Sequence, residues 1–168
     1  EATGVEPIGR ITLGCTGLYD EATEAAMQRV VDACRRYGTA KLGIQLGHAG
    51  RKASATKPWE QATHGEPLPA GRAWQTKAPS AVPMADHWHI PQAFSDAEIE
   101  ALPGLFAASA RRAVRIGFEL IELHAAHGYL LHQFLSPLSN RRNDAWGGPL
   151  ENRMRAPLAV YEAVRRVV

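Results

Sequence analysis

An apolar run of strand length, residues 118–123, stands directly before two histidines, a glycine and a tyrosine. A glycine precedes the run, so the pattern predicts a β-strand rather than a continuing helix. With a two-residue period, Glu122 and His124 share one face of this strand. His127 and Tyr129 follow where the strand ends. Because parallel α/β folds keep their active sites at the carboxyl ends of strands, this stretch predicts a functional site.

The same structural unit occurs twice along the chain: a helical pattern, a glycine, a short strand and a polar loop. The first copy has a helix beginning after Asp20 and a strand over residues 41–46. The second has a helix that the capping box Ser95 to Glu98 opens, followed by the strand over residues 118–123. Two successive copies predict parallel neighbouring strands joined by crossover helices. The fold class is therefore α/β with a parallel sheet.

The two long helices carry patterns that predict how they pack. Ala22, Val30 and Cys34 belong to the stripe that we expect to face the core in the first helix. In the second helix, Pro103 predicts a kink or a later start, because an internal proline costs about 3 kcal/mol.

A long segment without periodicity, residues 48–94, separates the two units. A loop of this length is uncommon in a compact domain and is usually either functional or disordered. Trp59, Trp74 and Trp88 favour a loop anchored to the rest of the protein.

Charge and cysteine content restrict the class of partner. The formal charge is +2, with both signs interspersed, which argues against nucleic acid or an anionic membrane surface as the main partner. No signal peptide or long apolar segment is visible. Cys15 and Cys34 lack the spacing of a metal or redox site, so free thiols in a reducing cytoplasm are the favoured interpretation.

The histidine pair His124 and His127 has three possible roles. As neutral imidazoles, the two side chains could donate N–H groups to one substrate oxygen. As metal ligands they would need a third partner, such as His132 or the neighbouring His87 and His89. As structural residues they would bond only to the backbone.

Three other polar side chains lie near the predicted strand ends. Tyr129 offers a phenol that keeps its proton at neutral pH and could donate it, although it could also simply pack the loop. Gln45 shares a predicted face with Gly43 and Gly47, which leaves space for a flat ligand. Glu122 is expected to be a buried structural acceptor in preference to a general base.

Several ordered motifs resemble the old yellow enzyme family of FMN-dependent ene-reductases. They are residues 44–50 (Ile-Gln-Leu-x-His-Ala-Gly), residues 124–131 with the His-x-x-His pair of the bacterial subgroup, residues 134–142, and residues 147–153. The resemblance implies part of a (β/α)8 TIM barrel, about half of it, from the end of strand 2 to helix 4. On this basis, residues 1–168 are a partial flavin oxidoreductase domain truncated at both ends, since a full barrel has roughly 250 residues.

The resemblance also implies an activity. Hydride passes from NAD(P)H through FMN to activated alkenes such as α,β-unsaturated carbonyls. The partner is a small-molecule substrate, and the full-length protein is expected to be a cytoplasmic homo-oligomer. We expect the 168 residues alone to be inactive, because the remaining flavin-binding strands of the family are absent from them.

Roles for individual residues follow from the same resemblance. His124 and His127 bind the carbonyl or nitro oxygen of the substrate, and Tyr129 donates the proton. Gln45 hydrogen-bonds the flavin ring, and the backbone of Ala2 meets the isoalloxazine. No metal is implied.

Two other functions remain open from the residues alone. One is a metal-dependent hydrolase on a barrel that uses His124 and His127. The other is a half barrel without activity, whose unpaired strand edge would promote association.

Overall fold

The computed structural model describes residues 2–60 and 65–168. Its strands are β1 (Ala2–Gly4), β2 (Gly43–Gly47), β3 (Lys77–Ala78), β4 (Gln92–Ala93) and β5 (Leu120–Leu123). Its α-helices are α1 (Glu21–Tyr37), α2 (Asp96–Ile116), α3 (Leu130–Leu135) and α4 (Leu150–Arg165). Within this described part, no helix combines the length and the apolar character needed to cross a membrane.

A parallel sheet of order β1-β2-β5 forms the centre of the structure. Helix α1 connects β1 to β2, and α2 connects β2 to β5, as the repeated unit predicts. In the register of the sheet, Gln45 pairs with Ala2 on one side and with Glu122 on the other. The α/β class with parallel neighbouring strands is therefore confirmed.

The sheet has one face against the helices and one face turned away from them. Ile44 and Leu46 on β2 are buried and belong to one core cluster with Leu102 and Phe106 of α2 and Val160 of α4. Residues on the other face alternate with these. We call this the inner face; it comprises Ala2, Gly43, Gln45, Gly47, Glu122 and His124.

Helix boundaries follow from local hydrogen bonds. Asp20 accepts from the Thr23 backbone N–H at 2.7 Å and completes a capping box at α1. At α2 the Ser95 side chain accepts from the Glu98 backbone N–H. The Ser95 backbone N–H in turn donates to the Glu98 carboxylate at 2.9 Å. Gly117 ends α2 in the left-handed region, at φ 101°, where a residue without Cβ is favoured.

Some details of the predicted elements differ from the structure. Helix α2 begins at Asp96 and Pro103 lies inside it, so the later start does not occur and the kink stays a prediction. In α1 the buried residue is Val31, whereas Val30 is 55% exposed and Cys34 is exposed. Both predicted strands begin two residues later than expected, at Gly43 instead of residue 41 and at Leu120 instead of residue 118.

The long loop is anchored, although not by all three tryptophans. Trp88 is buried, and the indole N–H of Trp74 donates to the Ile8 carbonyl at 3.1 Å. Trp59 is 79% exposed, so its predicted anchoring role is wrong. Strands β3 and β4 form a short parallel pair inside the loop. The part of the predicted loop at residues 61–64 lies outside the described residues.

Arg142 connects the segment before α4 to the start of α2. Its guanidinium donates to the Phe94 carbonyl and to the Asp96 carboxylate, each at 2.6 Å, and it also bonds Asp144. The side chain is only 12% exposed. These charge-assisted bonds fix the loop that precedes α4 against the capping residues of α2.

Replacing Arg142 with Met should lower the free energy of unfolding by about 2–3 kcal/mol, because hydrogen bonds to a charged group are lost at a mostly buried position. Urea unfolding of the purified protein measures this change. Arg141→Met, at an exposed neighbouring position, is the matched control and should change stability by less than about 0.5 kcal/mol. Equal effects of the two substitutions would contradict this role for Arg142.

Candidate active site

Three loops meet at the carboxyl end of the parallel sheet. The backbone N–H of Val5, after β1, donates to the Gly47 carbonyl at 3.1 Å. The N–H of His124, after β5, donates to the Leu46 carbonyl at 2.8 Å, and that of Leu130 to the His48 carbonyl at 2.9 Å. Side chains that lie far apart in the sequence are thereby held together at this edge.

The predicted residues His124, His127 and Tyr129 are adjacent in the structure. The ring centres of His124 and His127 are 5.2 Å apart, and those of His124 and Tyr129 are 4.6 Å apart. Both pairs meet edge to face, at 84°. His124 is 8% exposed, whereas His127 is exposed. One buried and one accessible imidazole therefore lie beside a phenol.

A tight turn over residues 126–129, the site turn, sets the directions of these side chains. His127 and Gly128 both have positive φ, 55° and 73°, and the Tyr129 N–H donates to the Ala126 carbonyl at 3.1 Å. Positive φ at both central positions is the pattern of a type I′ turn. Histidine is among the few residues other than glycine that adopt this region with some frequency, but at a cost.

Side chains from two other segments bind the site turn. Lys52 donates to the His127 carbonyl at 2.9 Å, and Gln133 of α3 donates to the Gly128 carbonyl at 2.7 Å. The Gly128 N–H donates to Nδ1 of His132 at 2.8 Å. Nδ1 of His132 is therefore occupied by a hydrogen bond from the site turn.

Gln133 also binds the loop after β2 and so connects two loops of the site. Its amide donates to the Ala49 carbonyl at 3.0 Å and accepts from the Arg51 N–H at 3.2 Å. Gly50 has φ 60°, and a Cβ there would lie 2.2 Å from the Gln133 amide oxygen. Gln133 is not among the predicted site residues; its one signal was an amide side chain in a short helix that is apolar apart from His132 and Gln133.

His48 is buried, and both of its ring nitrogens bond to other loop residues. Its Nδ1 accepts from the Gly50 N–H at 2.9 Å, so the proton lies on Nε2, which donates to Glu6 at 2.9 Å. A Cβ at Gly9 would lie 2.6 Å from the His48 ring. His48 therefore orders the loops under the site.

The residues on the inner face next to His124 have small side chains. A Cβ on Gly47 would lie 3.3 Å from Cβ of His124 and 3.8 Å from Cβ of Ala2. Gln45 is on the same face, and its side-chain amide has no hydrogen-bond partner within residues 2–60 and 65–168. A flat ligand with polar edges matches this surface.

A cavity of about 730 Å³ opens beside Tyr129. It extends between the loops after β1 and β2, and its lining includes Ala2, Cys15, Lys52 and Trp88. Cys15 is a free thiol, as expected. The volume is in the range of a small-molecule site.

Glu122 departs from its predicted state. It lies on the inner face as expected, but it is exposed instead of buried. The reason is that the described chain places no further strand over this part of the inner face. The carboxylate still influences its neighbour, because its charge partly opposes the lowering of the His124 pKa by burial.

His124 is held in its neutral form by its surroundings. Burial lowers its pKa from the ordinary value, and the nearby charges of His127 and Lys52 lower it further, against the opposing effect of Glu122. The Ala126 N–H makes a long bond, 3.4 Å, to Nδ1 of His124. This contact assigns the proton to Nε2, which can donate.

Metal binding is not favoured by the geometry. Within the part of the chain that the structure describes, no three His, Cys, Asp or Glu side chains come together as metal ligands. His132 is engaged with the site turn, and His87 pairs with Glu66 at 3.1 Å. The hydrolase alternative requires a third ligand that these residues do not supply.

A sequence profile of the NADH:flavin oxidoreductase / NADH oxidase family matches residues 1–168. The chain belongs to this family. It is 44% identical to an NADH:flavin oxidoreductase of Gibberella zeae, over 98% of this chain and 40% of that protein. It is 41% identical to an NADPH dehydrogenase of Clostridium acetobutylicum, over 99% of this chain and 44% of that protein. The chain therefore spans less than half the length of these curated relatives.

Solved structures agree with the family assignment. Morphinone reductase in complex with tetrahydroNAD superposes with a TM-score of 0.83 and 32% identity, over 99% of this chain and 47% of that one. The old yellow enzyme homologue from Zymomonas mobilis superposes with a TM-score of 0.81 and 28% identity, over 99% of this chain and 45% of that one. The resemblance to the old yellow enzyme family is thus confirmed, and the fold is about half of a (β/α)8 barrel.

The lowered pKa of His124 predicts the pH dependence of its protonation. Its imidazole should titrate below the ordinary value of about 6.5 in a histidine NMR titration, and Glu122→Gln should lower the midpoint further. The unfolded chain binds this proton more tightly than the folded one, so His124 makes the protein less stable as pH falls below about 6.5. A midpoint above the ordinary value would contradict the burial argument.

Proposed function

We propose that this chain carries part of the active site of an FMN-dependent ene-reductase that uses NAD(P)H to reduce activated alkenes such as α,β-unsaturated carbonyls. The observation that supports this most is the placement of His124, His127 and Tyr129 beside the small inner face at the strand ends. The family assignment gives that placement its chemical meaning.

The inner face fits the cofactor. Ala2 and Gly47 leave room for a planar ring above the strand ends, and the Gln45 amide is available to bond its polar edge. Bound there, FMN would supply the hydride chemistry that links NAD(P)H to the β-carbon of the alkene. The backbone of Ala2 and the amide of Gln45 would hold and orient its ring.

The histidine pair binds the substrate oxygen. Nε2 of His124 carries a proton, and the 5.2 Å separation of the two rings lets both imidazoles approach one oxygen atom. Negative charge builds on that oxygen as the hydride arrives. N–H donors already in place stabilise this charge more than they stabilise the neutral ground state.

Tyr129 supplies the proton for the α-carbon. Its ring lies against His124, so its hydroxyl is near any substrate whose oxygen the pair holds. A positioned acid of this kind contributes roughly 10²- to 10⁴-fold to a rate. The Tyr129→Phe experiment below distinguishes proton donation from a purely structural role in which Tyr129 only packs the site turn.

We also propose that residues 1–168 are part of one barrel domain, with the remaining strands supplied by the length that the relatives have beyond the match. A small-molecule substrate is the proposed partner. The homo-oligomeric state and the cytoplasmic location stay predictions. The half barrel without activity is the less favoured alternative, because the site residues are kept together.

In the full-length protein, His124→Ala or His127→Ala should weaken the binding of phenolic and enone ligands and slow alkene reduction. Loss of one oxyanion donor typically costs about 3 kcal/mol in the transition state. Flavin content should persist, and it is measured by absorption after gel filtration. Loss of stoichiometric zinc in either variant would instead support the hydrolase.

Tyr129→Phe should leave the reduction of the flavin by NAD(P)H nearly unchanged, because that step needs no proton on carbon. Reoxidation by an enone should slow by roughly 10²- to 10⁴-fold. Reoxidation by a quinone is the control and should change little. Stopped-flow measurement separates the two half-reactions, and unchanged enone reoxidation would make Tyr129 a packing residue.

A further inference from the structure

Lys52 lies against the residue proposed to donate the proton. It ends the 3-10 turn Gly50–Lys52, which follows β2, and its side chain crosses to the site turn after β5. The ammonium is 2.9 Å from the His127 carbonyl oxygen and 4.8 Å from the centre of the Tyr129 ring. One side chain therefore contacts both the backbone and the aromatic ring of the site turn.

Neighbouring cations do not share this position. The guanidinium of Arg51 turns away and donates to the Pro83 carbonyl at 3.1 Å. Lys57, which lines the same cavity, pairs with Glu60 at 3.0 Å. The titratable groups facing the Lys52 ammonium are His127 and Tyr129 of the site turn, with His124 behind them and Arg51 on its own segment.

We propose that Lys52 assists proton donation by Tyr129: its bond to the His127 carbonyl fixes the ammonium beside the ring, where it stabilises the phenolate that forms when the proton leaves. This inference rests on the proposed function. It adds a residue whose contribution acts through Tyr129.

The proton-transfer step explains why a cation helps here. The O–H bond of Tyr129 breaks, a C–H bond forms at the α-carbon, and the O–H electron pair remains on the phenolate oxygen. Water then returns a proton to the phenolate. A cation over the ring attracts the neutral phenol weakly and the phenolate strongly, so its effect is larger in the transition state than in the ground state.

Lys52 is also partly withdrawn from solvent, which strengthens this effect. Burial lowers its pKa from the ordinary value, and the charge of Arg51 acts in the same direction. Electrostatic attraction at short range grows as water is excluded. Because the His127 carbonyl accepts from the same ammonium, the cation stays fixed beside the ring.

The test uses the full-length, flavin-loaded protein with Lys52→Met and Lys52→Arg. Lys52→Met should slow reoxidation by an enone about 2- to 30-fold, the range of a partly desolvated cation–π contact, and leave reoxidation by a quinone unchanged. Lys52→Arg should restore most of the rate. Lys41→Met, at an exposed lysine two residues before the start of β2, is the control and should have no effect.

A double-mutant cycle with Tyr129→Phe distinguishes the electrostatic role from a structural one. In the Tyr129→Phe background, Lys52→Met should no longer slow enone reoxidation, because no phenolate forms. A readout independent of turnover is the ionisation of Tyr129, followed by tyrosinate difference absorbance. The midpoint of Tyr129 ionisation should shift to higher pH in the Lys52→Met variant. In the Lys52→Arg variant it should lie close to the midpoint of the unchanged protein.

The outcomes separate this inference from the proposed function. If Tyr129→Phe slows enone reoxidation but Lys52→Met does not, the inference fails while the function stands. If Lys52→Met slows quinone reoxidation equally, or acts unchanged in the Tyr129→Phe background, Lys52 is only structural. If Tyr129→Phe itself has no effect, the proton donor of the proposed function fails first.

Discussion

The site depends on a two-residue turn in which a histidine occupies the left-handed region of backbone space. His127 and Gly128, in the loop after β5, have positive φ, and the His127 imidazole and the Tyr129 phenol both lie against His124. A non-glycine residue in this region costs about 1 kcal/mol or more, so the surroundings must offset it. Gln133 and Lys52 bind the two carbonyls of the turn, and each comes from a different segment.

These contacts also connect the active-site loops to the sheet. Gln133 bonds the loop after β2 and the loop after β5 with a single amide, and Gly50 is small where any Cβ would meet that amide. The same arrangement places a cation against the site turn and a buried, neutral imidazole beside it. Backbone geometry, hydrogen bonding and charge therefore act on one cluster, which lies at the strand ends because parallel strands end at a common edge.

Much of this could be predicted from the sequence, and the limits are physical. The strand before His124, the parallel order, the helix start after Asp20 and the capping box at α2 follow from short-range patterns that the structure confirms. The α1 stripe was wrong because alanines and a cysteine look apolar, whereas burial there depends on tertiary packing. Glu122 is exposed because burial requires strands beyond those described. Gln133 and Lys52 could not be found, since their roles depend on contacts 5 to 84 residues away along the chain.

The central claim is that His124 and His127 together hold one oxygen of the substrate over the inner face. A crystal structure of the full-length protein with FMN and a phenolic ligand tests it most directly. The account predicts the phenol oxygen within hydrogen-bond distance, about 2.7–3.2 Å, of an imidazole nitrogen on both histidines. A phenol oxygen bound elsewhere, or a metal ion between the two imidazoles, would contradict it.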